Sequence, residues 1–212
     1  MAITRVQVAK RVSSPSAQVT NAWASTPTQG NLLIAFGYGS NSDTNASITG
    51  WTKAVAINWG ATACIALFYK IAGAAEGSVV LDWTSSTVTS VVTMEWSGVD
   101  TLDKTAYTAH TGGTVTSRSS GTTAATTVAD ELCIAGFGTG NTTSAQSFSN
   151  SYTDEYSPDT VFEYLASLVV AATGAQETTM SWTTARFAGG LIATFYATPA
   201  AAGNPWYAWA QM

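Results

Sequence analysis

Hydrophobic positions in this chain fall in short runs separated by Gly, Ser, Asn and Thr clusters, with almost no helical periodicity. Runs rich in Val, Ile, Thr, Phe, Tyr and Trp predict strands over Arg5–Lys10, Asn31–Tyr38, Thr52–Asn58, Ala63–Ile71, Ser78–Trp83 and Thr89–Trp96. The second half predicts Ala125–Val128, Glu131–Phe137, Tyr152–Tyr156, Thr160–Ala171, Thr178–Trp182 and Gly189–Ala197. Turns are expected at "GYGSNSDTNAS", "AGAAEGS" and "GTGNTTSAQ", where Gly and Asn accept backbone angles that other residues resist.

The pattern occurs twice. "NLLIAFGYG" from Asn31 is answered by "ELCIAGFGTG" from Glu131, with Leu32, Ile34 and Ala35 meeting Leu132, Ile134 and Ala135. "ACIALFYKIAGAAEG" from Ala63 is answered by "FEYLASLVVAATGAQE" from Phe162, "LDWTSS" by "MSWTTA", and "SVVTMEW" by "GLIATFY". These matches set Trp83 against Trp182 and Trp96 against Tyr196, and they read as an internal duplication with pseudo-repeats 1–100 and 101–197. Runs such as Ala63–Ile71 and Thr160–Ala171 are apolar on both faces, as suits central strands covered on either side. Half a sandwich cannot cover them, whereas two halves packed face to face can. The expected fold is therefore all-β: a jelly-roll-like antiparallel β-sandwich built from two duplicated halves, one domain over 1–197, followed by a tail over 198–212. The polar stretch between Gly98 and Thr126 reads either as a linker or as edge strands, because "TAYTAH" and "GTVTSR" alternate.

Composition narrows the function. Charged residues are 10% of the chain, against about 25% in ordinary globular proteins. Ser, Thr and Gly supply the polarity instead, which suggests a surface partly covered by other subunits. The net charge of −5 and only eight scattered Lys and Arg argue against nucleic acid as a partner. No run approaches the ~20 apolar residues of a membrane helix, so no membrane partner is expected. Cys64 and Cys133 sit inside apolar runs and read as buried free thiols more readily than as a disulfide. "MAITRVQVAK" lacks the apolar core of a secretory signal, so synthesis in a reducing cytoplasm is expected.

Candidate chemistry is sparse. The single histidine, His110, has no nucleophile elbow near it and reads as a solvated loop residue. No Cys/His spacing suits a metal, and neither a metal nor another cofactor is expected. "YTDEYSPD" gathers Asp154, Glu155 and Asp159 ahead of Glu163, a set that reads as a solvated loop, with calcium and glycosidase carboxylates as weaker readings. Adjacent Asp154 and Glu155 on a strand should point to opposite faces, and Asp100 and Asp103 read as turn formers. Trp83, Trp96 and Trp182 are expected in the core, leaving Trp51 and Trp59 as candidate sugar-stacking residues. Glu95 lies on the strand face opposite Val92, Met94 and Trp96, so its carboxylate is expected in water. Its aligned counterpart, Phe195, then marks an outer apolar face covered by the tail or a neighbouring subunit. Trp206, Tyr207 and Trp209, near the end of "TPAAAGNPWYAWAQM", are the other partner-binding candidates; folding back onto the chain's own sandwich is the alternative.

The ordered blocks "GNLLIAFGYG", "GWTKAV", "IALFYKIAG", "LDWTSS" and "VVTMEWSGVD" resemble β-sandwich modules of phage virion structural proteins: head decoration proteins, head fibres and tail-associated proteins. The resemblance covers 27–100 best and 125–197 more weakly, and similar modules occur in bacterial surface proteins. It implies a non-enzymatic virion component, made in the host cytoplasm and present in many copies. Expected partners are the major capsid protein or other virion subunits, with the chain itself a homo-oligomer, a trimer or a dimer. The acidic balance suits a place outside the shell, away from packaged DNA. The alternative reading is a carbohydrate-binding or receptor-binding module of a tail or head fibre.

Overall fold

A computed structural model describes residues 2–40, 45–59, 63–84, 88–110, 112–157 and 162–198, apart from the side chains at 10–13 and 59. No helix occurs among the described residues. The first half contributes β1 (Thr4–Ser14), β2 (Gln18–Asn21), β3 (Leu32–Gly39), β4 (Thr52–Trp59), β5 (Ala63–Ile71), β6 (Val79–Asp82) and β7 (Thr89–Ser97). The second contributes β8 (Thr101–Thr108), β9 (Val115–Ser119), β10 (Glu131–Thr139), β11 (Ser147–Phe148), β12 (Thr153–Tyr156), β13 (Glu163–Val170), β14 (Thr179–Arg186) and β15 (Ala188–Tyr196). The Gly98–Thr126 stretch therefore holds strands: "TAYTAH" lies largely in β8 and "GTVTSR" in β9. Ala125–Val128 forms no strand.

The chain is an all-β protein of antiparallel sheets packed as a β-sandwich. One five-stranded sheet runs β1-β7-β3-β5-β4, and the other, read from β8, runs β8-β15-β10-β13-β12. The two orders correspond strand for strand. Pairing within each half is nested: β1 with β7, β2 with β6 and β3 with β5, then β8 with β15, β9 with β14 and β10 with β13.

Three clusters of buried side chains explain why the central strands are apolar on both faces. Between the large sheets, Leu32, Ile34 and Phe36 of one half meet Leu132, Ile134 and Leu191 of the other. Behind the first sheet, Ala35, Ala66 and Phe68 are covered by Val19, Leu81 and Trp83 from the β2–β6 ribbon and the residue after it. Behind the second, Ala135, Phe137 and Tyr164 are covered by Met180 and Trp182 of β14. Trp83, Trp96 and Trp182 are all buried, as expected. Close approach of the ribbon needs small residues beneath it. A Cβ at Gly37 would lie 2.5 Å from Leu81 Cδ2, and one at Gly39 would lie 2.8 Å from the Trp83 ring.

Interior and edge pairings differ in regularity. The β3–β5, β3–β7, β10–β13 and β10–β15 ladders run without interruption. Each edge strand of the large sheets, β1, β4, β8 and β12, instead carries a register shift. Bulges at edges frustrate strand addition by another chain.

Register also corrects the sequence alignment. Leu32 pairs with Trp96 and Leu132 with Phe195, so Phe195 corresponds to Trp96, not to Glu95. A slip of one residue sends every side chain to the opposite face. Phe195 therefore points into the shared core, where it is fully buried and meets Tyr69 of the first half with ring centroids 5.5 Å apart. It is unavailable to a partner subunit.

Candidate functional site

The ribbon that covers the first sheet alternates strictly. Val19 and Asn21 of β2, with Val79 and Leu81 of β6, point inward, leaving Gln18, Val80 and Asp82 on the solvent face. Ser47 extends this face through reciprocal backbone hydrogen bonds with Asp82 at 2.8 and 2.9 Å. A turn then brings in an aromatic wall: the Trp51 amide donates to the Ile48 carbonyl at 3.0 Å, with Gly50 at φ 79°. That angle at the third residue is the signature of a type II turn, a position that favours glycine. The turn sets Trp51 at the rim of a cleft of about 270 Å3, together with Gln18, Ser47, Thr49, Ser78 and Asp82. The inner side of Trp51 packs on the cluster beneath the ribbon. Ser78 also borders a second depression that contains Trp23 and Glu76. Glu76 is held there by Lys70 Nζ at 2.9 Å and the Gly73 amide at 2.5 Å.

Of the residues singled out by sequence, Trp51 lies at this cleft. The side chain of Trp59 and the whole of Trp206, Tyr207 and Trp209 lie outside the described residues. Asp159 does too, while Asp154 bonds to Ser157, and Glu155 pairs with Arg5 across the two halves and accepts from Ser167. Among the described residues no group of three or more His, Cys, Asp and Glu side chains is placed to hold a metal ion. The His110 ring packs edge-on against Phe187 at 5.0 Å, and its Nε2 accepts the Gly112 amide at 3.2 Å. Both cysteines are buried and neither forms a disulfide; the Cys64 thiol donates to the Gly39 carbonyl at 3.3 Å. Burial pushes the Cys133 thiol up to about 12, so it carries no thiolate at neutral pH.

Two buried polar clusters escaped the sequence. Glu95, expected in water, is fully buried. Its carboxylate accepts from Gln7 Nε2 at 2.5 Å, the Thr28 amide at 2.8 Å and Asn31 Nδ2 at 2.6 Å. Asp103, read as a turn former, instead lies within β8, where it accepts from Lys104 Nζ at 2.7 Å and from the Thr127 amide at 2.7 Å. Asp100 does close a junction: its Oδ1 accepts from the Thr101 hydroxyl at 2.6 Å and the Thr198 amide at 2.9 Å.

Asp103 neighbours the buried Glu131, and the pair ionises unevenly. Burial raises the Glu131 pKa above its ordinary 4.5, and the Asp103 carboxylate adds to the rise. Burial opposes ionisation of Asp103 as well, but Lys104 and Thr127 outweigh it and hold that group at about 2. A raised folded-state pKa stabilises fully below 4.5 and loses that contribution as pH rises through the folded value. Glu131→Gln keeps a neutral hydrogen-bonding side chain, so its urea midpoint should fall less than the wild-type midpoint as pH rises from 4.5. Parallel midpoints would show that Glu131 is already ionised throughout.

Compared with known protein families, curated proteins and solved structures, the chain matches none. Among the described residues, no helix is long and apolar enough to cross a membrane.

Proposed function

We propose that the chain is a non-enzymatic virion structural protein, a capsid decoration or minor capsid protein that stabilises a phage shell through subunit contacts. We read the nested pairing in each half as a jelly-roll-like unit, and the matched strand orders as the product of duplication. The observation that carries the proposal is the Asp100 clamp on Thr198, which fixes the point from which the aromatic segment after residue 198 begins. A body with bulged edges resists strand addition, so contacts fall to the segment bearing Trp206, Tyr207 and Trp209 in place of the sheet edges. The low charge and the resemblance of the repeated blocks to virion modules support the same reading.

The test compares the full chain with one ending at Thr198. The shortened chain should melt as the full chain does, yet lose its oligomeric mass in light scattering and its retention on particles during sedimentation. Equal mass and equal retention would overturn the proposal.

A further inference from the structure

The cleft beside Trp51 serves no part of that structural role. We propose that it binds a neutral saccharide, presented as a single ring or as the end of a longer glycan. Trp51 forms an aromatic wall, and Val80, 38% exposed on the ribbon's solvent face, adds an apolar patch to the floor. A sugar ring has an apolar C–H face to lay on such a surface and hydroxyls around its rim. Asp82 and Gln18 supply a carboxylate and an amide, whose side chains meet only weakly at 3.4 Å and so retain capacity for hydroxyl groups. Ser47, Thr49 and Ser78 add further hydroxyls around the cleft.

Charge selects the ligand class. Among the described residues no Lys, Arg or His lines the cleft, and Asp82 stands in it, so a phosphate, sulfate or sugar acid would meet a carboxylate with no counter-charge. The volume of about 270 Å3 lies at the lower end of small-ligand pockets, in the range that suits one ring. The second depression, about 450 Å3, has Ser78 in its lining as the cleft does, and offers a longer glycan a surface towards Trp23.

The second half shows what this location becomes when built for packing alone. Tyr152 directly precedes β12 as Trp51 precedes β4, and it is buried, 6% exposed, within the core cluster. The Gln18–Asp82 pair is replaced there by Ser117 and Ser181. The bridge between Ser47 and Asp82 recurs as the pairing of Ser147 with Ser181, so the scaffold is kept while the carboxylate and amide are absent. Aromatic, carboxylate and amide are thus assembled in one copy only.

The experiment is a titration of the full chain, followed by amide and indole NMR, with glucose, galactose, mannose and N-acetylglucosamine up to tens of millimolar. Inorganic sulfate serves as the anionic control. At least one sugar should shift the Trp51 indole and amides within 47–51 and 78–82, and sulfate should shift neither. Asp82→Ala, on an exposed side chain, should leave the melt unchanged and weaken that binding roughly tenfold. Trp51→Ala should abolish it, with the Asp82 variant guarding against a loss caused by altered packing. No shift with any of the four sugars, or an unchanged affinity in Asp82→Ala, overturns the proposal.

Discussion

Replacing Gly136 with valine is expected to destabilise the fold by roughly 2–3 kcal/mol. Gly136 lies on β10 of the second half, and a Cβ placed there would stand 2.4 Å from Phe36 Cε2 and 2.8 Å from Cζ. Phe36 belongs to β3 of the first half and is completely buried, so its ring has no open direction in which to retreat. The clash therefore lies between the halves, across the core they share. Trimming Phe36 to leucine should relieve part of it, although that change alone should cost about 1–2 kcal/mol through the space it leaves. The double variant should then be more stable than the sum of the single effects predicts, by about 1 kcal/mol or more. Urea denaturation of the four proteins measures this coupling. Strict additivity would mean that Gly136 and Phe36 do not meet, and that the two large sheets are not packed face to face.

That contact was partly legible in the sequence. The strands now numbered β3, β5, β10 and β13 were readable because long apolar runs leave no polar face, which itself demands cover on both sides. β2 and β11 were not anticipated. "QVTN" of β2 buries just one side and offers a single strongly apolar residue, and β11 is two residues long. "ATTV" at Ala125–Val128 has β-forming composition, yet its amides go to scattered acceptors and not to a ladder: Thr126 to the Gly174 carbonyl at 3.0 Å, Thr127 to the Asp103 carboxylate and Val128 to that of Glu131. The misplacement of Phe195 came from aligning terminal aromatics, Trp96 with Tyr196, where pairing fixes a register one residue away. Trp51 was legible through composition, but Gln18 and Asp82 reach it through β2–β6 pairing across 64 positions of sequence. Local patterns carry no information about such partners.

The same limit governs Glu95, and its removal is the second large effect expected. Its hydrogen-bond partners lie 88, 67 and 64 positions away, so the rule that an unpaired carboxylate seeks water was applied to a group that is not unpaired. Glu95→Ala would leave the Thr28 amide and Asn31 Nδ2 without their acceptor and should cost about 3 kcal/mol. Gln7 would keep its bond to the Ser25 carbonyl at 3.0 Å, so its loss is smaller. Glu95→Gln should cost less, because one amide oxygen still accepts, but its NH2 would confront the donor already presented by Gln7. The pH dependence separates this from loss of packing. Burial works to raise the Glu95 pKa, but Gln7, Thr28 and Asn31 together outweigh it, holding the group below its ordinary 4.5. A lowered folded-state pKa stabilises above 4.5 and loses that contribution as pH falls through the folded value, opposite in sign to Glu131. At the position of Glu95 the second half carries Thr194, so this acid-sensitive arm belongs to the first half alone. Wild-type stability should therefore fall with acid more steeply than that of Glu95→Gln, the two curves converging as the carboxyl protonates. Curves that stay parallel down to acid pH, or an alanine variant with the wild-type urea midpoint, would show that the buried carboxylate does not hold the 25–31 segment against the sheet.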